Sequence, residues 1–382
     1  MCDILTIVRL SKVAEKKLSK ILEHLYVSSV LTSSEILREL RDEGIVRYRK
    51  TKYVKSFFKF IDNMGVSLIP DLLIHKLRLK GIAIITKVKK VRKCNGLANV
   101  TTSIPFVRSV VLSIPNIVMI SLYVPENMVN IYRNYEGVRG IDVSTYLYEY
   151  VIRSKPLPEY LLRAIEGPIE DIVNSKSFES CFSKPLFLPS DWDGKPKIDG
   201  LALSVLDALL INPTLTLKEL SEILGNKFSK KFALQKTRKA VNRASKFIFG
   251  YRVAITKTAY ISNLKMGIVI DGVIDPQALC LSIARHPLMI ACSWCNNSKK
   301  VILYLSLPEG GISEFKNNLL WFLDQLKGYI VDSFEYIFVK GYTSVVNIPY
   351  TEWVPSIKSW KYVEDPIPII LNHLRSSECI EI

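Results

Sequence analysis

An internal duplication is the feature of this sequence that most constrains its fold. Segments of the first half recur in the same order in the second half, about 185 residues further along the chain. Residues 79–85 correspond to 264–270, and residues 118–126 correspond to 301–309, where both segments end in Pro-Glu. A chain of 382 residues is also longer than one compact core usually holds. We therefore predict two copies of one structural unit.

Each copy opens with apolar residues at the spacing of three short helices. The predicted helices cover residues 18–25, 36–40 and 50–63 in the first copy, and 203–211, 216–224 and 232–247 in the second. Ser33 and Ser34 stand at the N-cap position of a helix, while Thr216 and Glu219 have the spacing of a capping box. An extended segment such as 251–256 follows the third helix. This succession predicts a winged helix-turn-helix in each copy.

The remainder of each copy alternates between strand and helix patterns. In the second copy the elements are 267–274, 276–282, 289–294, 301–307, 312–325 and 332–339, and in the first copy 81–88, 97–103, 107–112, 118–124, 128–135 and 144–151. Their order is β-α-β-β-α-β, the split βαβ arrangement of a ferredoxin-like sandwich. The predicted fold class is therefore α+β, with two copies of a winged helix-turn-helix followed by a ferredoxin-like β-α-β-β-α-β sandwich.

Domain boundaries follow from these patterns. We expect a winged helix-turn-helix at 1–75, a ferredoxin-like domain at 76–154, a Pro-rich connector at 155–197, a winged helix-turn-helix at 198–262, a ferredoxin-like domain at 263–345 and a C-terminal tail at 346–382. Asp191 and Asp193 resemble the start of a calcium loop without its later ligands, so we assign them to the connector. The pattern at 366–375 predicts a terminal helix, which either packs across the halves or binds a partner.

The charge of the chain favours a polyanionic partner. There are 52 Lys and Arg against 36 Asp and Glu, which gives a net charge of +16 at pH 7. Eleven basic residues and no acidic one lie between Glu222 and Asp271, and residues 44–61 likewise contain no acid. Both runs fall on the third helix of a copy or its approach, where a helix-turn-helix meets the major groove. The predicted partner is double-stranded DNA, and the candidate DNA-binding residues are Lys230, Lys231, Lys236, Arg238, Lys239, Arg243, Lys246, Arg47, Arg49, Lys50, Lys52, Lys55 and Lys59.

A solvated helix face is the alternative interpretation of these basic runs. Such a face normally mixes the two signs of charge, with Glu and Lys one helical turn apart, so the absence of acids argues against it. A separate basic run at 87–93 allows two interpretations of equal weight. It is either an additional phosphate contact or a solvated loop.

Other functional classes lack their sequence signals. The longest uncharged stretch, 109–125, is interrupted by Pro115 and predicts two strands around a turn rather than a membrane span. The N-terminus lacks the features of a signal peptide, so we expect a cytoplasmic protein without a membrane partner. Seven scattered cysteines do not suggest a disulfide framework, and we expect most of them to be buried small hydrophobes. The CxxC of Cys292 and Cys295 lacks the second half of a zinc site. Because P-loop, GxGxxG, HExxH and GxSxG motifs are also missing, we expect no cofactor.

Three helices with a basic third one, a wing-like strand pair and the β-α-β-β-α-β order resemble the Lrp/AsnC family of feast/famine transcriptional regulators. The resemblance covers about 1–152 and 198–340, with 216–249 similar to the family's DNA-binding helices and 267–339 similar to its effector and dimerisation sandwich. It implies a prokaryotic or archaeal transcription regulator, an amino-acid-like effector and a homodimer formed through the ferredoxin-like domains. Because family members dimerise as single copies, two copies in one chain imply a built-in pseudo-dimer.

The chain also departs from the family's pattern. Residues 42–46 replace the usual tight Gly-Leu-Ser turn, so we expect the second helix-turn-helix to be the better DNA reader. Relatives of the family include tetrapyrrole-decarboxylating enzymes, which implies an enzymatic alternative using His286 or His75. A lone histidine in a turn beside Pro287 is typical of a surface or capping residue, and no base–acid pair accompanies it, so we expect no enzyme. A third alternative is a nucleic-acid-binding architectural protein without sequence preference.

Overall fold

The computed structural model has an α+β fold in which two copies of one unit follow each other along the chain. It describes residues 12–47, 49–92, 104–114, 116–133, 143–166, 174–229, 231–255, 264–307, 317, 329–344, 349–361 and 365–381. The helices are α1 Lys12–Val27, α2 Ser33–Asp42, α3 Lys52–Asn63, α4 Val129–Arg133, α5 Pro158–Glu166, α6 Ser175–Ser183, α7 Gly200–Ile211, α8 Leu217–Phe228, α9 Leu234–Ala244, α10 Pro276–Ile283 and α11 Pro366–Ser376. The strands are β1 Val66–Leu72, β2 Leu79–Lys87, β3 Lys90–Val91, β4 Val107–Ile114, β5 Ile117–Pro125, β6 Val143–Tyr148, β7 Tyr150–Arg153, β8 Ile248–Ile255, β9 Leu264–Val273, β10 Met289–Trp294, β11 Val301–Leu307, β12 Tyr329–Ser344, β13 Trp353–Val354, β14 Ser359–Trp360 and β15 Ile380–Glu381.

Helices α1–α3 and α7–α9 are the two predicted three-helix units. The apolar faces of α1–α3 form one core, and those of α7–α9 belong to a second. The predicted capping box of α8 is confirmed, because the Glu219 amide donates to the Thr216 hydroxyl oxygen and the Thr216 amide donates to the Glu219 carboxylate at 2.6 Å.

The predicted N-cap of α2 is wrong by one residue. Thr32, and neither Ser33 nor Ser34, has the extended backbone of a cap (φ −103°, ψ 148°), and its hydroxyl accepts from the Glu35 amide. Ser33 already lies in the helix, and its hydroxyl donates to the Thr214 carbonyl of the second copy at 2.9 Å. A serine next to a threonine gives no sequence signal of which one leaves the helical backbone.

The strand that follows each three-helix unit is shared between the copies. β1 comes after α3 and β8 after α9, and the two pair antiparallel with Ile69 opposite Arg252. Among the described residues, the extended segment predicted as a wing thus pairs with its counterpart from the other copy. We call this pair the β1/β8 ribbon. It packs directly on α1, since a Cβ on Gly250 (φ +60°) would lie 2.0 Å from the Tyr26 carbonyl oxygen.

A nine-stranded antiparallel sheet contains both predicted sandwiches. Its strand order is β6-β2-β5-β4-β12-β9-β11-β10-β7. Within the first copy the order is β6-β2-β5-β4, and within the second it is β12-β9-β11-β10. In each copy the fourth strand therefore lies beside the first, and the third lies between the first and the second. This is the arrangement expected of a ferredoxin-like β-α-β-β-α-β sandwich, and the fold class predicted from the sequence is confirmed.

The last strand of each sandwich continues into the other copy. β6 pairs with β2, and after Glu149 the chain continues as β7, which pairs with β10 of the second copy. β12 likewise pairs first with β9 and then with β4 of the first copy. The strand predicted at 144–151 is therefore two segments, and the one predicted at 332–339 is the middle of a longer strand. These reciprocal pairings relate the copies as a pseudo-twofold dimer.

Helices cover the outer faces of the sheet. In the second copy, α10 and the connector residues Phe178, Leu186 and Trp192 share one core with β9–β11. In the first copy, α11 and α4 share a core with β2, β4 and β5. Of the two roles left open for the tail helix, the structure shows packing, and the helix returns to the first half of the chain. The helices predicted at 97–103 and 312–325 lie outside the described residues, apart from Asn317.

The expectation for the cysteines is met in part. Cys181 and Cys295 are buried, but two other cysteines form a disulfide. Cys280 on α10 and Cys292 on β10 are joined by a disulfide, with a Cα–Cα distance of 5.4 Å. That distance lies within the range a disulfide spans, and the antiparallel packing of a helix on its following strand brings the two residues together. Among the described residues, no helix combines the length and apolar character needed to cross a membrane.

We expect α11 to stabilise the first copy through its buried face. Ile370 is fully buried, whereas the adjacent Ile369 is 47% exposed. Ile370→Ala should lower the free energy of unfolding by about 2–5 kcal/mol, because it removes buried methylene groups and leaves a cavity. Ile369→Ala is the matched control and should change it by less than about 0.5 kcal/mol. Urea denaturation measures both, and equal effects would show that α11 does not pack as described.

Candidate nucleic-acid interface

Helix α9 has one buried and one exposed face. Thr237, Ala240, Val241 and Ala244 are buried against the rest of the three-helix unit. The exposed residues are the apolar Leu234 at the start of the helix and the polar Gln235, Lys236, Arg238, Lys239, Asn242 and Arg243. Buried positions three and four residues apart lie on one side of a helix, so the polar positions between them face outwards.

Four of the exposed residues form a single stripe along α9. Gln235, Arg238, Lys239 and Asn242 are spaced i, i+3, i+4 and i+7, so their side chains lie above one another. Side chains of these types can read base edges in a major groove, where Arg and Lys suit guanine and Asn and Gln suit adenine. Arg238 and Lys239 are among the DNA-binding residues predicted from the sequence, whereas Gln235 and Asn242 are not. The sequence signal for Gln235 and Asn242 is their helical spacing from Arg238 and Lys239. This spacing becomes informative only after the buried residues show which face of the helix points outwards.

The cations of α9 differ in their partners. Arg243 Nε lies 3.1 Å from Asp199 Oδ2, and Lys236 Nζ lies 5.1 Å from the centre of the Phe232 ring. Arg238 and Lys239 make no ion pair or side-chain hydrogen bond within the described part of the chain. Lys231 and Lys246 are exposed beyond the two ends of α9, and Lys230 lies outside the described residues.

The candidate residues of the first copy are less uniform. Arg47, Arg49 and Lys50 are exposed in the connection between α2 and α3, and Lys52 and Lys59 are exposed on α3 itself. Lys55 is different, because its Nζ lies 3.0 Å from Glu219 Oε1 in the second copy. The connection between α2 and α3 spans 43–51, whereas the one between α8 and α9 spans 229–233. The second unit thus has the tighter turn, and one cation of α3 is already compensated.

The two three-helix units meet at the N-termini of α2 and α8. Glu219 binds the Thr216 amide and Lys55 at the same time, and Ser33 donates to the Thr214 carbonyl nearby. The hydrogen bond from the Thr216 amide, followed by the one from Lys55, lowers the pKa of Glu219 to about 2. Glu219 is therefore both a helix cap and an intercopy contact.

The basic run at 87–93 holds part of the tail. β3 pairs with β15, and Arg92 Nη2 lies 3.4 Å from a Glu381 carboxylate oxygen. Lys87, Lys89 and Lys90 are exposed, and residue 93 lies outside the described part. The run therefore includes a short strand that is held to the C-terminal tail.

Both histidines considered for an enzymatic alternative are buried. His286 is fully buried, stacks on Phe178 with ring centres 4.6 Å apart, and lies 3.2 Å from the Ser177 hydroxyl. Of the two roles expected for His286, the surface position is wrong, because the connector helix α6 covers the turn at Pro287. The capping role agrees with the structure, since the Leu288 amide donates to His286 Nδ1 at 3.3 Å. His75 lies 2.7 Å from the Trp192 carbonyl oxygen and packs on the Trp192 ring. Burial lowers the pKa of His75.

A buried charge cluster lies where the ribbon meets the nine-stranded sheet. Arg153 Nη1 donates to Asp71 Oδ1 at 2.6 Å, and Lys155 Nζ donates to Asp71 Oδ2 at 3.0 Å. Lys155 also donates to the carbonyls of Phe249 and Tyr251 on β8. Burial alone would raise the pKa of Asp71, but the attraction of Lys155 and Arg153 outweighs it and the pKa is lowered. Burial lowers the pKa of Lys155 to about 8. No sequence pattern indicates this cluster, because Asp71 lies 82 residues from Arg153 and 84 residues from Lys155.

Comparisons with known proteins find structural likeness only. No family model matches the chain, and no curated protein matches it. The crystal structure of the siroheme decarboxylase NirDL covers 95% of this chain and 99% of its own, with 12% identity and a TM-score of 0.44. The co-complex of NirDL with an iron-uroporphyrin III analogue gives the same coverage and TM-score at 11% identity. The crystal structure of PH0061 covers 39% of this chain and 97% of its own, with 20% identity and a TM-score of 0.27. The fold assignment above rests on the strand order and not on these values.

The contact of Glu219 should make stability depend on pH. Its folded pKa of about 2 lies below that of an unfolded glutamate, so its contribution is fully present above about pH 4.3 and is lost as the pH falls towards 2. Because the side chain is 42% exposed, we expect a cap-sized contribution of about 1 kcal/mol. Urea denaturation at several pH values should show Glu219→Ala destabilised near pH 6 and like the wild type near pH 2. Glu222→Ala, exposed on the same helix, is the control, and an equal loss there at pH 6 would contradict the assignment.

Proposed function

We propose that the chain is a DNA-binding transcription regulator whose helix α9 enters the major groove of double-stranded DNA. One observation carries the proposal. The exposed stripe of α9 consists of base-reading side chains, and its cations Arg238 and Lys239 have no ion-pair partner within the described part of the chain. A helix face that merely needed solvation would carry charges of both signs.

The neighbouring cations suit contacts with the phosphates. Lys231, Lys236 and Lys246 lie beside the stripe or beyond the ends of α9, where they would neutralise the backbone on either side of the groove. In the first copy, Lys52 and Lys59 are exposed, but Lys55 is held by Glu219. We therefore assign sequence reading to α9 and an auxiliary electrostatic role to α3. An amino-acid-like effector and a homodimer stay predictions of the resemblance to Lrp/AsnC proteins.

Removing the two cations of the stripe should weaken DNA binding. We expect Arg238→Ala combined with Lys239→Ala to lower affinity for a labelled duplex from the protein's own promoter region by at least about tenfold. Fluorescence anisotropy at about 50–200 mM salt measures affinity and its salt dependence. Lys299→Ala combined with Arg375→Ala removes the same charge from exposed positions in the β10–β11 connection and on α11, and should leave affinity nearly unchanged. An equal loss of affinity in both double variants would show that net charge alone explains the effect, and it would refute a role of α9 in DNA binding.

Two single variants should distinguish residues that read bases from residues that contact phosphates. Asn242→Ala should reduce the preference for the promoter duplex over a scrambled one by about 1–3 kcal/mol, with an unchanged salt slope. Lys236→Ala should weaken binding to both duplexes by the same factor and reduce the slope of log affinity against log salt concentration by about 1. The same anisotropy titrations measure both quantities. If Asn242→Ala leaves the preference intact, the stripe does not read bases.

The same experiments distinguish the alternatives. Equal binding of promoter and scrambled duplexes by the unmodified protein would support an architectural nucleic-acid-binding protein. Failure to bind either duplex, together with a Soret band in the purified protein, would support a tetrapyrrole decarboxylase-like enzyme. The buried positions of His75 and His286 give no geometric support to that alternative within the described part of the chain.

A further inference from the structure

We propose that a cavity between the C-terminal tail and the first sandwich binds a small molecule with an apolar body and one carboxylate or phosphate group. We call it the tail cavity. It is lined by Arg78 just before β2, by residues 125–127 at the end of β5, and by residues of the hairpin β13–β14 of the tail. The lining residues lie outside α9, so this proposal does not depend on DNA binding.

The volume of the tail cavity limits the ligand to a small molecule. The cavity measures about 190 Å³. A cavity of roughly 150 Å³ holds benzene in another protein, so a single ring with one charged group fits here. Asn127 and Lys358 at its edge are exposed, and a ligand can therefore enter from the solvent.

The tail cavity has an excess of positive charge. Arg78 and Lys358 line it, and neither forms an ion pair within the described part of the chain. The acidic lining residue, Glu126, is already paired, since its Oε1 lies 3.5 Å from Lys195 Nζ. Two cations without an acidic partner on the wall of one cavity favour an anionic ligand.

The guanidinium of Arg78 is held in place with donors to spare. Its Nη1 donates to the Lys358 carbonyl oxygen at 3.4 Å, which ties Arg78 to the turn of the tail hairpin. Within the described part of the chain, this is the one hydrogen bond of the Arg78 side chain. The remaining N–H groups of an arginine fork match the two oxygens of a carboxylate or phosphate.

Both cations stand where the backbone favours glycine. Arg78 has φ +58° and ψ +36°, and Lys358 has φ +49°. Residues with a Cβ seldom adopt this left-handed conformation, and those that do are concentrated at ligand-binding and active sites. A glycine at either position would form the same turn with less strain. The side chains of Arg78 and Lys358 therefore have a role that the backbone alone does not explain.

Two tryptophans supply the apolar wall of the tail cavity. Trp353 and Trp360 are 6% and 3% exposed, and their ring centres lie 5.3 Å apart in an edge-to-face arrangement. Trp360 Nε1 donates to the Leu77 carbonyl oxygen at 2.9 Å, so the polar atom of this indole is already satisfied. What the two rings offer a ligand is apolar contact, which suits a molecule with an apolar body beside its anionic group.

The test is titration of the full chain with benzoate and, separately, with phenyl phosphate, at constant ionic strength set with sodium chloride. We expect at least one of these probes to bind with 1:1 stoichiometry by calorimetry and to raise Tm. Binding should also change the tryptophan fluorescence, because two of the five tryptophans line the cavity. Benzyl alcohol has the same ring without the charge, and it should bind at least about tenfold more weakly.

Lys358→Gly separates a ligand-binding lysine from a structural one. It removes a cation from the cavity and places glycine at a left-handed position, so binding should weaken by about tenfold while Tm without ligand stays equal or rises. Loss of a structural lysine would lower Tm instead. Arg78→Gln should likewise weaken binding by about tenfold or more. Lys361→Gln, exposed on the same tail segment but outside the cavity, is the matched control and should bind like the wild type.

Each outcome bears on the proposal directly. Binding of benzoate alone would identify a carboxylate ligand, and binding of phenyl phosphate alone a phosphate ligand. The proposal would be overturned if neither probe binds, or if benzyl alcohol binds as tightly as the charged probes. Equal binding by the wild type, Lys358→Gly and Arg78→Gln would also overturn it.

Discussion

The buried contact of Asp71 with Arg153 and Lys155 is the constraint on which the arrangement of this molecule depends. Asp71 belongs to the ribbon, Arg153 ends β7, and Lys155 begins the connector and binds two carbonyls of β8. Buried charges are tolerated only when they are paired and hydrogen-bonded, so each group fixes the position of the others. The contact thereby ties strands from both copies and the connector to one point.

That constraint determines the positions of the helix-turn-helix units relative to the nine-stranded sheet. β1 leaves α3 and β8 leaves α9, so fixing the ribbon to the sheet also fixes where both helices stand. The reciprocal strands β7 and β12 hold the two sandwiches together by main-chain hydrogen bonds. A rigid scaffold of this kind suits an exposed helix that must be positioned on a partner.

The two copies differ in the pairing of their exposed charges and in the helices that cover them. Lys55 of α3 is paired with Glu219, whereas Arg238 and Lys239 of α9 have no partner within the described part of the chain. The outer face of the first sandwich is covered by α11 from the far end of the chain, and that of the second by its own α10 and the connector. The two copies thus share one backbone arrangement, but their contributions to the candidate interface differ.

The sequence by itself determined the local elements and their order. Helical and alternating periodicities depend on neighbouring residues, which is why α8 with its capping box, β10 and β11 agree closely with prediction, as does the order of the strands in each copy. The absence of nearby acids also made Arg238 and Lys239 candidates for DNA binding, which stays a prediction. Only the tertiary structure decided which strands pair with the other copy, and that the predicted wing strands pair with each other as the ribbon. It also decided that His286 is buried, and that Asp71, Arg153, Lys155 and Arg252 lie near one another. Contacts between residues distant in the chain leave no periodic trace, because their partners are chosen by packing and by the need to neutralise buried charge.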